Sequence, residues 1–189
     1  MNPSSVLNPA PRALWLAAAV ALGLALAGAA GSAHADASEA AEIAAVSKAT
    51  ITPLAALAKA EQHTGGRAYG LGLEVARHGT WYEVQMNVRN RPMVARIDPH
   101  SGAFLGISPA RGEDRNGAHT LDGRRIDLGM AIRAAETTSH GRAMEAGPEG
   151  HGAAAHWDVD VVQAGGRLAH LSINADTGAV TPAPRGEWD

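Results

Sequence analysis

The side chains best suited to chemistry are nine histidines in 189 residues, set beside nineteen acids and no cysteine. Their densest placement is His156-Trp157-Asp158-Val159-Asp160, with His170 further along. Imidazole nitrogens and carboxylate oxygens together suit Zn²⁺ or Cu²⁺. Trp157, Val159 and Val161 alternate with His156, Asp158 and Asp160, the period of a strand with one buried and one wet face. Setting Trp157 opposite Ile173 in a hairpin brings Asp160 against His170 and His156 against Asn174. The candidate metal ligands are therefore His156, Asp160 and His170, with His151 on the neighbouring Gly-rich loop. The competing reading is a cross-strand Asp–His pair, contributing about 0.2–1 kcal/mol. Adjacent open strands rarely enclose a coordination shell.

Trp81 is the second candidate. Alternation places it on the wet side and Tyr82 inward, so Trp81 is a candidate partner contact, while Tyr82 and Trp157 are core anchors. Arg67 and Arg142 each follow a helix stop, where a cation caps the last carbonyls. No H-E-x-x-H, G-x-S-x-G or P-loop is present, and Gly70-Leu71-Gly72 lacks the rest of a dinucleotide site. No residue stands out as a nucleophile or base, so an enzyme is not expected. Sixteen Lys and Arg against nineteen acids give a net charge of −3, which argues against a nucleic-acid partner. Without cysteine there is no disulfide, Cys-ligated zinc or acyl anchor.

The elements that must hold these residues recur. Ile51 falls on Ile126 at an offset of 75, carrying Ala60-Glu61 onto Ala135-Glu136 and Gly66-Arg67-Ala68 onto Gly141-Arg142-Ala143. Tyr82-Glu83-Val84 then meets Trp157-Asp158-Val159. After one inserted residue, Ser101-Gly102-Ala103 falls on Thr177-Gly178-Ala179. Each copy opens with a capped helix, Thr52-Pro53 in the first and Asp127 in the second, ended by Gly65-Gly66 and by Gly141. Strands with period two follow. Arg89-Asn90 reads as a two-residue hairpin loop and Ala164-Gly165-Gly166 as a three-residue one, with the insertion in the turn. The fold class is α+β, two tandem units, each one helix on an antiparallel meander. Each unit, about 60 residues, is marginal alone. The copies are expected to pack together, or the protein to form a homodimer.

Before the first unit, Arg12, an apolar run Ala13–Ala30 and Ala33-His34-Ala35 are the three parts of a secretory signal peptide. The chain divides into a signal peptide 1–35, a short Ala-rich helix in 36–49, unit 1 at 50–108, a mobile linker 109–125, unit 2 at 126–182, and a tail 183–189. A periplasmic or secreted location follows. The membrane is touched only if the signal segment stays uncleaved.

The run I-T-P-L-A-A-L-A-K-A, a Gly stop, W-Y-E-V-Q-M and V-A-R-I-D-P-H-S-G-A resembles a PepSY domain. Ile126–Thr181 resembles it too, with Asn174 where the first copy has Asp98. Such domains occur in propeptides of thermolysin-type metallopeptidases and in exported bacterial proteins. The resemblance implies a non-catalytic module that binds or restrains a peptidase in the cell envelope, and no catalytic residue is carried over. The partner is expected to be an envelope protein, a peptidase or a membrane sensor or redox component. The alternative is a metal- or haem-responsive accessory protein using the His156/Asp160/His170 face.

Overall fold

The computed structural model describes residues 28–183 apart from 121 and 151; the signal-peptide run and the tail fall largely outside them. The fold is α+β. Three α-helices, α1 (Gly28–Lys48), α2 (Pro53–Thr64) and α3 (Leu128–Ser139), accompany one antiparallel sheet of eight strands. The strands are β1 (Arg67–Ala76), β2 (Gly79–Val88), β3 (Arg91–Ile97), β4 (Phe104–Pro109), β5 (Arg142–Glu149), β6 (His156–Val162), β7 (Leu168–Asn174) and β8 (Val180–Pro182). Their order in the sheet is β4-β3-β2-β1-β5-β6-β7-β8.

Local chemistry explains the elements. Thr52 caps α2 by accepting from the Ala55 N–H, and Pro53 fills the first helical position, where an N–H has no partner anyway. Asp127 caps α3 through the Met130 N–H. α2 ends on Gly65 in the left-handed region. The glycine expected to stop α3 does something else: His140 takes the left-handed turn at φ 55°. Gly141 is needed for close approach, since a Cβ there would stand 2.5 Å from the Val162 carbonyl oxygen. The β2–β3 hairpin turns on Arg89 and Asn90, both at positive φ as a two-residue loop requires.

The hairpin registers are those expected, with Tyr82 opposite Ile97 and Trp157 opposite Ile173. α2 lies on β1–β3 and α3 on β5–β7. The Tyr82 hydroxyl donates to the Ile51 carbonyl at 3.0 Å, and the Trp157 indole N–H to the Ile126 carbonyl at 2.9 Å. Each thereby ties a buried aromatic to the residue ahead of a helix cap. Glu61 accepts from the Ala68 N–H and Glu136 from the Ala143 N–H, at 3.0 and 2.9 Å. Both β1 and β5 carry a bulge just beyond that point.

Buried side chains under α2 and α3, among them Tyr82, Met86, Ile97, Leu128, Ile132, Trp157 and Ile173, form one continuous core. β1 and β5 join across the middle through Leu71–Ala146 and Gly72–Glu145.

Two expectations need correction. The segment 109–125 is not a free tether: it holds a 3-10 helix, Gly112–His119, that touches β1, β2, β3 and β5 and buries Ala118. The helix expected within 36–49 starts earlier, so Ala33-His34-Ala35 falls inside α1. Among the described residues no single helix is long and apolar enough to cross a membrane.

Candidate functional site

The sheet face turned away from α2 and α3 carries the candidate chemistry. Pairing registers place Arg96, Glu83, Gly72, Glu145, Asp160 and His170 in one row across β3, β2, β1, β5, β6 and β7.

On the β6–β7 side, His170 Nδ1 lies 2.7 Å from Asp160 Oδ1, and both side chains are largely shielded, at 17% and 13% exposure. The expected pairing is therefore present. His156 is placed elsewhere. Its Nε2 is 3.1 Å from Asp158 Oδ1 and its Nδ1 is 2.7 Å from the Ala154 carbonyl. A carbonyl only accepts, so Nδ1 is the donor in the second contact; Asp158 Oδ1 is buried without a hydrogen-bond partner among the described residues, so its approach to Nε2 is a matter of distance alone. Burial raises the Asp158 carboxyl, with Glu149 and Asp160 adding to it and His156 opposing.

The structure thus splits His156, Asp160 and His170 between two Asp–His pairs. Among the described residues no three His, Asp or Glu side chains converge on a point that would hold a metal. The physical reason is the strand itself: alternate residues on one strand stand about 7 Å apart, and each imidazole has a nearer carboxylate.

On the β2–β3 side, Trp81 is outward but half-covered. Its indole N–H donates to Glu83 Oε2 at 3.1 Å, Arg96 Nε donates to the same oxygen at 3.3 Å, and the Arg96 guanidinium lies 4.7 Å from the Trp81 ring centre. This cation–π stack occupies the ring proposed as a partner contact. The exposed apolar side chains lie elsewhere: Leu105 and Ile107 on edge strand β4, at 54% and 41%, and Met130 on α3.

Sequence reasoning missed Glu145 and misassigned Arg142. Glu145 keeps contact with solvent, yet the crowding protein around it, then Asp160, Glu42 and Glu74, push its carboxyl up to about 7. Arg142 does cap a helix, but not the one it follows: Nη1 donates to the Val46 and Ala49 carbonyls at the end of α1, at 3.2 and 2.6 Å. Arg67 is exposed and lines a cleft of about 250 Å³ between α2 and α3, with Leu57, Glu61, Leu128, Met130 and Arg133. Only the recurrence of Gly-Arg-Ala signalled these arginines; the path of α1 had no sequence signature.

No family model matches the chain, and no curated protein matches it. One solved structure, named a "putative lipoprotein", from Clostridium difficile 630, aligns at 15% identity and a TM-score of 0.35. The alignment covers 64% of this chain and 83% of that one. So slight a likeness carries no argument.

Proposed function

We propose that the chain is an exported, non-catalytic binding module of two tandem PepSY-like units, 50–108 and 126–182, acting on a protein of the cell envelope, with a peptidase as the leading partner. The observation that carries this reading is the pair of aromatic tethers, Tyr82 to Ile51 and Trp157 to Ile126. They recur with matching caps, bulges and Asx turns, and they sit at the residues on which the resemblance rests. Export is supported by the basic, apolar and A-x-A segments in order at the N-terminus.

Strand β4 is the docking edge. It is a terminal strand of six residues with exposed Leu105 and Ile107, whereas the opposite edge, β8, has only three residues; both strands end in a proline. A partner strand added to β4 would extend the sheet.

The test is titration of a thermolysin-type metallopeptidase with the protein recovered after export. Saturable, near-stoichiometric loss of peptidase activity, weakened by Leu105→Lys, is the expected result. Full activity at large excess, with no complex on size-exclusion chromatography, defeats the peptidase reading.

A further inference from the structure

The two arginines that follow the helix stops hold matching places in the sheet, and there the halves part. Arg142 of β5 stands opposite Val162 of β6, and Arg67 of β1 opposite Asn87 of β2. Arg142 is half-buried because the chain ahead of α2 comes to it. Its Nη1 donates to the Val46 and Ala49 carbonyls, and both of those residues are buried. The chain ahead of α3 does no such thing for Arg67, which is exposed and makes no hydrogen bond or ion pair among the described residues.

Two adjoining cavities share Arg67, Ala68, Asp127 and Leu128 as walls. One is the open cleft of about 250 Å³ between α2 and α3, where Leu57 and the half-exposed Met130 add an apolar lining and Arg133 a second cation. The other is a recess with about 30 Å³ of free space, room for a water-sized group, closed by Tyr69, Trp157 and the Gly117-Ala118 turn. Asn87 lines the recess, and its Oδ1 is buried with no hydrogen-bond partner among the described residues. A buried carbonyl oxygen left unbonded is destabilising, and the other half avoids it by carrying Val162 at this place. The acids on the rim already have partners. Glu61 accepts from the Ala68 N–H, Asp127 from the Met130 N–H, and Asp122 lies 2.8 Å from His119 Nδ1. Arg67 and the Asn87 oxygen are the two polar groups still unanswered.

We propose that this junction of the two units binds the C-terminal end of a peptide, with the terminal carboxylate on Arg67, the last amide N–H on Asn87 Oδ1, and an apolar last side chain against Leu57 and Met130. A guanidinium and a carboxylate form paired, charge-assisted hydrogen bonds. The amide N–H supplies the donor that Asn87 lacks. Inorganic phosphate would answer Arg67 but would leave the apolar wall wet. The molecule holds its own precedent, since Arg142 already grips backbone oxygens at the end of a helix whose Val46 and Ala49 are buried beside it. Both units contribute walls, so neither has the site alone. The site is separate from the β4 edge and stands or falls independently of the peptidase reading.

The test is calorimetric titration of the exported protein with acetyl-Ala-Leu bearing its terminal carboxylate, with the same dipeptide amidated, and with inorganic phosphate. The expected result is saturable one-to-one binding of the acid, with the amide about tenfold weaker or more, as the loss of a charge-assisted bond requires. Arg67→Ala should weaken the acid to the level of the amide. Asn87→Val, which copies the other half, should weaken acid and amide together without lowering the urea midpoint. No saturable binding at millimolar dipeptide overturns the site, as does equal binding of acid and amide or unchanged binding by Arg67→Ala. Phosphate that binds as tightly as the dipeptide and displaces it overturns the peptide assignment and leaves a general anion site.

Discussion

The β2–β3 and β6–β7 hairpins share a register and an inward set, yet their outward rows carry opposite chemistry. One holds Trp81 under Arg96 with Glu83 beneath. The other holds Asp158 and Asp160, each beside a histidine. The inward positions must fit a core closed by a helix, so Tyr82 and Trp157 both reach the residue ahead of a cap. The outward positions answer only to their immediate cross-strand neighbours and to whatever crosses that face. For this molecule, likeness between the halves speaks of scaffold, and difference speaks of what each half faces.

The sharpest way to break the likeness is through the aromatic tethers. Trp157→Ala and Tyr82→Ala should each cost about 3–5 kcal/mol, the range for removing a large buried aromatic. Tyr82→Phe, which leaves the Ile51 carbonyl without its donor, should cost about 1 kcal/mol. Urea midpoints measure all three. Because one core runs under both helices, each loss should appear as a single cooperative transition. Two separated transitions would show halves that melt independently.

The arginines come next. Arg142→Ala removes two hydrogen bonds to the end of α1 and should cost about 1–2 kcal/mol, with α1 amides losing protection first. Arg67→Ala, at the matching position but exposed, should stay within about 0.5 kcal/mol. Equal costs would mean that Arg67 has a structural duty as large as Arg142's.

These contrasts also mark how far the sequence could be read. Helix caps, the hairpin registers and the Asp160–His170 pair were legible, because capping residues and period-two alternation are local signals. β1 and β5 were not. From Ala68 to Leu71 burial is continuous, so alternation marks only the second half of β1, where Leu71, Leu73 and Val75 are interleaved with Gly72, Glu74 and Ala76. The β1–β5 seam, and with it the row that sets Glu145 beside Asp160, is a non-local pairing. The packing of 112–119 was hidden for another reason: its burial comes from Ala118 and from Gly117 approaching Tyr69 and Pro148, and small residues leave no apolar period. Trp81 was assigned correctly to the outward face, but its Arg96 cover depends on the neighbouring strand's register.

The smallest effect separates the halves at one atom. Asp98 Oδ1 accepts from the Ser101 N–H, the Ser101 hydroxyl and the His100 N–H; Asn174 Oδ1 accepts from the Thr177 N–H, the Thr177 hydroxyl and the Asp176 N–H. The turns are alike, but only Asp98 titrates. The Ser101 N–H first, then the Ser101 hydroxyl and the His100 N–H, hold its carboxyl below the usual carboxylate range. A folded-state pKa below the unfolded value contributes stability that is present above the unfolded pKa and is lost as pH falls through the folded one. Asp98→Asn keeps the acceptor and removes the charge, so it should cost a few tenths of a kcal/mol near neutrality, the turn being solvent-screened, and nothing in acid. Asn174→Asp should gain a similar amount near neutrality and forfeit it in acid. Urea midpoints at two pH values read both variants. A cost for Asp98→Asn that stays the same in acid would assign the difference to geometry rather than charge, and the two turns would then be unlike in shape as well as in titration.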